Sequence, residues 1–153
     1  MAEENKNQQQ PAIMIRSQYI KDMSLETPLA PEIFKEMNTQ PQVHVDMGMK
    51  SEELEDGTNV VNLNVKMDAD INGKKLFILE LTYCANADIN VAEEQKELVL
   101  MIELPRLMFP FVRSIIASNL AAAGLPPLML NPIDFVAMYQ AKKAEENAKT
   151  EKN

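Results

Sequence analysis

Very few residues in this chain could carry chemistry. His44 is the sole histidine and Cys84 the sole cysteine. A nucleophile activated by a base would have to use His44. That histidine alternates with Val43 and Val45 in what reads as a strand, which points it toward solvent. One histidine and one distant cysteine do not make an ordinary zinc site, so no metal is expected. The four glycines, Gly48, Gly57, Gly73 and Gly124, stand apart at expected turns and a helix end, and no glycine-rich loop is present to cradle phosphate. Carboxylates are plentiful but lie in solvated runs such as Glu52, Glu53, Glu55 and Asp56. The one enzyme class compatible with such a set is a hydrolase built on carboxylates alone. The titratable groups nevertheless fail to converge on one centre, so neither an enzyme nor a cofactor is expected. What remains is the chemistry of association, and the surfaces that would carry it.

The largest apolar block runs from Leu107 to Phe135 and holds two charges, Arg113 and Asp134. It is no membrane span, because Gly124, Pro126, Pro127 and Pro132 interrupt any single helix. The spacing predicts a helix from about Phe109 to Ala123 that stops at Gly124, where a residue lacking Cβ takes the left-handed cap. Pro126 and Pro127 then hold an extended connection, and Asn131-Pro132 open a second helix as cap and first-turn proline. At 100° per residue the first helix divides into two faces. Phe109, Val112, Ile115, Ile116, Leu120 and Ala123 make a bulky half suited to a core. Ser114, Ala117, Ser118 and Ala121 make a half of small side chains, with Arg113 at its margin. Small rather than charged residues suit close approach of another helix, and the same helix of a second copy is the expected partner.

Upstream, the pattern is that of a sheet. Residues 13 to 26 alternate loosely and are read as a strand. The prolines Pro28, Pro31 and Pro41 make the next segment a crossover with room for one helical turn at Glu32 to Met37. Gln42 to Met49 forms a strand, and Glu52 to Gly57 a turn. Val61, Leu63, Val65 and Met67 then alternate with Asn62, Asn64, Lys66 and Asp68, the clearest period of two in the chain. Asn72-Gly73 is a strong hairpin turn, since both residues accept positive φ. The returning strand, residues 76 to 83, has Phe77, Leu79, Leu81 and Tyr83 in one row and Leu76, Ile78, Glu80 and Thr82 in the other. Glu93 to Ile102 fits either a short helix or a last strand. The expectation is an α+β domain over residues 12 to 143: an antiparallel four-stranded sheet with two C-terminal helices packed on one side. The polar ends, residues 1 to 11 and 144 to 153, are expected to be disordered tails.

A formal net charge of −8 argues against nucleic acid and anionic membrane as partners and is compatible with a basic protein. The N-terminus MAEENKNQQQ lacks the regions of a signal peptide, and a lone cysteine forms no internal disulfide, so a cytoplasmic location is expected. Eleven methionines serve mostly as core filler.

Two segments taken in order carry a family resemblance. YIKDMSLETPLAPEIF, residues 19 to 34, and LMFPFVRSIIASNLAAAGLPPLMLNPIDF, residues 107 to 135, resemble the SecB protein-export chaperones, and FILELTY at residues 77 to 83 fits with them. The resemblance spans about Arg16 to Ala141. It implies a cytoplasmic homotetramer, a dimer of dimers whose long helices meet at the dimer-dimer interface. It also implies a chaperone without ATPase activity that holds unfolded precursor proteins and delivers them to the SecA motor of the translocase. The positions matching the SecA-contacting surface are Asp22, Glu26, Ile78 and Glu80. Those matching the client groove are Phe34, Val43, Val45, Met47, Phe77, Leu79, Leu81, Tyr83 and Tyr139. Departures from the family pattern are MNTQP at residues 37 to 41 in place of a common tryptophan, a poor match over residues 86 to 104, and Lys142-Lys143 in a usually more apolar last helix. The competing expectation is a structural or adaptor oligomer that binds one folded partner through the acidic sheet face.

Overall fold

Alternation of period two builds the centre of the molecule. In the computed structural model, which describes residues 10–126 and 128–151, strand β3 (Asn59–Ile71) buries Val61, Leu63, Val65, Met67, Ala69 and Ile71. The intervening side chains of β3 stay half-buried or exposed, so one sheet face is core and the other polar. Asn72 and Gly73 turn the chain with φ of 51° and 76°, as the hairpin reading requires. Strand β4 (Lys74–Ile89) returns beside β3. β1 (Ile13–Glu26) and β2 (Gln42–Glu53) complete an antiparallel sheet in the order β1-β4-β3-β2. Since β1 and β2 occupy opposite edges, the segment between them must cross one end of the sheet. A 3-10 turn at Glu32–Glu36 pins that crossing through Ile33, which is 2% exposed.

Two register shifts in β1, at Ile15/Ser17 and Ile20/Asp22, explain its loose alternation. After the second shift Asp22, Ser24 and Glu26 share the polar face with Tyr19, although a regular strand would place Tyr19 and Asp22 on opposite faces. A third shift, at Ala69/Asp70 between β3 and β4, separates Leu76 from the row of Ile78, Glu80 and Thr82 in which the alternation placed it, and Leu76 is buried at 2%.

The segment left open between helix and strand is helical. Helix α1 (Glu93–Leu98) runs through a π-helical stretch (Val99–Glu103) into α2 (Leu104–Ala122), which thus begins earlier than Phe109. Pro105, at the start of α2, and Pro110, within it, bring no N–H to the continuous helical path, and both are accommodated in it. Leu104, Met108, Val112, Ile116 and Leu120, one every fourth residue, are fully covered against the sheet. Burial of such a side chain contributes about 1.5–3 kcal/mol. Gly124 ends α2 as read, with φ of 81°: Leu125 N–H reaches the Leu120 carbonyl at 3.0 Å and Gly124 N–H the Ala121 carbonyl at 3.1 Å. The Phe34 ring of the crossover lies over this glycine; a Cβ there would meet it at 3.6 Å. Pro127, the second proline of the connection, lies outside the described residues, as do residues 1–9 and 152–153.

Helix α3 (Phe135–Glu151) departs from expectation at both ends. Its cap is Asp134 and not Asn131: Asp134 Oδ1 accepts the Ala137 N–H at 3.0 Å. Asp134→Ala should therefore cost about 1 kcal/mol, read as a shifted midpoint in urea, whereas Asn131→Ala should leave the midpoint unchanged. The helix also continues to Glu151, through the segment expected to be a disordered tail. Its alanines, glutamates and lysines are good helix formers, and that outweighs their lack of apolar surface.

Candidate functional site

On the polar sheet face, pairing between β1 and β4 gathers four residues that are far apart in sequence. Ile78 lies opposite Glu26, Glu80 opposite Ser24, and Thr82 opposite Asp22. Asp22, Glu26, Ile78 and Glu80 thus share one face of two neighbouring strands. The three carboxylates are exposed and Ile78 is half-buried beside them. None of the three carboxylates forms an ion pair among the described residues, and Glu80 stands opposite Lys66 without one. Unpaired acidic groups around one apolar side chain make a surface fit for a basic partner.

At the other edge of this face the β2-β3 register brings His44 opposite Asp68. His44 Nδ1 lies 3.2 Å from Asp68 Oδ1 and 3.9 Å from Asp70 Oδ2. These are the three residues among those described whose donor atoms converge as metal ligands would. The Lys75 ammonium already stands between the carboxylates, at 3.0 Å and 2.9 Å. It holds the Asp68 carboxyl below the usual carboxylate range, and the two aspartates push the Lys75 ammonium up. Any stability this Asp68 contact adds is present above the ordinary carboxylate range and is lost as the pH falls through the lowered value. The cluster was invisible in sequence because its members meet only through strand register. Cys84 is buried and its thiol donates to Asn62 Oδ1 at 2.6 Å. Burial pushes this thiol up, away from a reactive thiolate.

The helix-facing side divides the expected groove residues in two. Phe77, Leu79, Leu81 and Tyr83 are all 5% exposed or less and belong to the core beneath the helical layer. The long apolar row in β4 is continuous because helices cover it, a circumstance that alternation alone does not reveal. The other five residues lie at the margin of the core. Val45 is 45% exposed on the edge strand, with Val43 and Met47 half-buried to either side. Phe34 on the crossover and Tyr139 on α3 are half-buried as well.

On the outward side of α2, Ser114, Ser118 and Ala121 are exposed and Ala117 is half-buried. The strip extends further than the small residues suggested. Leu107 and Phe111 are 48% and 51% exposed on the same side, and Phe111 also stacks on Tyr83 with ring centroids 6.5 Å apart. The signal was present in the spacing 107, 111, 114, 118, 121, the alternating steps of four and three that mark a helix-helix seam.

The family model described as "Preprotein translocase subunit SecB" matches residues 6–146. The chain belongs to the SecB family. It is 46% identical to the protein-export protein SecB of Paramagnetospirillum magneticum, over 90% of each chain. It is 42% identical to that of Rhodospirillum rubrum, over 91% of each. Among solved structures, a SecB-like chaperone of Mycobacterium tuberculosis in complex with a peptide from an antitoxin superposes with a TM-score of 0.67 at 13% identity. That match covers 80% of this chain and 91% of the other, and it shows a shared fold. The SecB resemblance carried by two sequence segments therefore extends over nearly the whole chain, including residues 86 to 104. No helix among the described residues is long and apolar enough to cross a membrane.

Proposed function

We propose that this SecB-family chain is an ATP-independent holding chaperone of the cytoplasm, which keeps unfolded precursor proteins competent for export and passes them to the SecA motor. The observation that carries the proposal is the open apolar margin of the sheet at Val43, Val45 and Met47, with Phe34 and Tyr139 beside the helical layer, in a chain of this family. An unfolded chain exposes apolar side chains. An apolar strip on a rigid strand accepts them at roughly 25 cal/mol per Å² buried, before ordering costs are subtracted. No catalytic step is needed, because holding requires only repeated weak contact.

Affinity without sequence demand then comes from repetition. Four copies, assembled as a dimer of dimers, present several such strips to one guest and raise avidity without any new contact. The outward strip of α2 supports this assembly: it is apolar or small from Leu107 to Ala121, and burying it against a second copy removes it from water. Ala121→Glu and Ser118→Arg should each shift the mass in solution from tetramer to a smaller species, as sedimentation would read; an unchanged mass would place the interface elsewhere. The four residues on the polar face are the proposed contact with SecA, whose handover needs a surface that a bound guest leaves free.

The direct test is suppression of aggregation. Stoichiometric amounts should keep several unrelated denatured proteins soluble with no nucleotide present. Protection of a single protein only, together with tight binding to its folded form, would favour the adaptor reading.

A further inference from the structure

Helix α3 is fastened to the domain by two kinds of contact, one for each half. Its first turn is hydrophobic: Phe135 is 2% exposed and meets Phe109 edge-on at 6.0 Å, with Met138 half-buried against the core. No later residue of the helix is buried. Tyr139 is also half-buried against the core, and from Lys142 onward the contacts are polar. Lys142 Nζ donates to the Met49 backbone carbonyl at 3.0 Å. Lys143 Nζ pairs with Glu97 Oε1 of α1 at 2.8 Å and stands 5.9 Å from the Tyr139 ring centroid. A cavity of about 330 Å³ lies among these groups, with Lys50 and Ser51 of β2, Met101 of the π stretch and Glu146 of α3 in its wall. β2 is an edge strand with no neighbour on its outer side, so the Met49 carbonyl is free to take a lysine.

From this division we infer that the C-terminal half of α3 is an ionic latch, closed across the end of β2 by Lys142 and Lys143 and opened when its ion pair is screened or broken, so that an extended polypeptide gains the adjoining apolar margin. The inference deepens the chaperone reading and rests on it. The closed latch ties Tyr139, an expected groove residue, next to Glu97 and covers Met101; the open latch releases both. Partly exposed ion pairs hold weakly, with Lys143 and Glu97 at 40% and 55% exposure. The closed and open forms therefore differ little in free energy, and removing one pair changes the open population only several-fold. That is the range in which ionic strength or an arriving charged partner can act.

Glu97→Lys places like charges where the pair was, and Glu97→Lys with Lys143→Glu restores it in reverse. Two readouts separate the possibilities: amide hydrogen exchange of residues 139 to 151, and affinity for one permanently unfolded polypeptide, both at low salt. The single variant should raise exchange about fivefold and tighten binding of the polypeptide by a similar factor, and the double variant should reverse both. Added salt should raise exchange in the unaltered protein more than in Glu97→Lys. Unchanged exchange with intact client binding would overturn the latch and leave the chaperone reading standing. Faster exchange without any change in affinity would overturn the gating role. Faster exchange in a protein that binds no unfolded polypeptide at all would sink the chaperone reading, and the gate with it.

Discussion

Glu80→Lys is expected to weaken binding to the SecA motor by about tenfold or more, while leaving affinity for unfolded polypeptides and the unfolding midpoint nearly unchanged. Glu80 is exposed at the middle of the polar face, between Ser24 and Lys66 on the flanking strands, and no ion pair holds it. Reversal of its charge therefore breaks nothing within the domain, and surface changes of this kind stay within about 0.5 kcal/mol in stability. Against a basic partner the same change replaces attraction with repulsion, and like charges at an interface are costly. An ionic contact of the proposed kind is screened by salt, so added salt should weaken the unaltered complex more than the Glu80→Lys complex. Titration of labelled protein with SecA at two salt concentrations measures both effects. A parallel loss of client binding would show that the two faces are not separate surfaces.

Ile116→Ala should produce the largest loss of stability, about 2–5 kcal/mol. Ile116 is fully covered, between Val112 and Leu120 in the stripe that joins α2 to the sheet, and truncating it would leave a cavity there. Ile115, its neighbour, is half-buried, and Ile115→Ala should cost clearly less. Denaturation in urea should be compared at one fixed protomer concentration, since association adds to apparent stability. Equal losses for the two variants would mean that α2 lies rotated from the position described.

Much of this fold was legible wherever a signal is local. The alternation of β3, the Asn72-Gly73 turn and the Gly124 helix end are each decided by residues within a few positions of one another, and all three stand in the structure as read. What stayed hidden depends on register or on cover. The bulges of β1 change which face Asp22 and Glu26 share with Ile78 and Glu80, and no residue type announces a bulge. Residues 93 to 102 kept both readings open because a short apolar run fits a strand or a buried helix equally well. Phe77, Leu79, Leu81 and Tyr83 show the same limit: a greasy row says that something covers it, and tertiary packing decides whether that is a helix or a guest. The ion pair of Lys143 with Glu97 joins elements whose neighbourhood only the folded chain creates.

The apolar margin of the edge strand is expected to bind polypeptides because they are unfolded. The most direct measurement compares several unrelated proteins, each in a permanently unfolded and a native form, by nucleotide-free titration against the unaltered chain and Val45→Asp. Every unfolded form should bind, no native form should, and the aspartate should weaken all the unfolded forms together. Native proteins binding as tightly as unfolded ones, or an aspartate at residue 45 that changes nothing, would contradict this expectation.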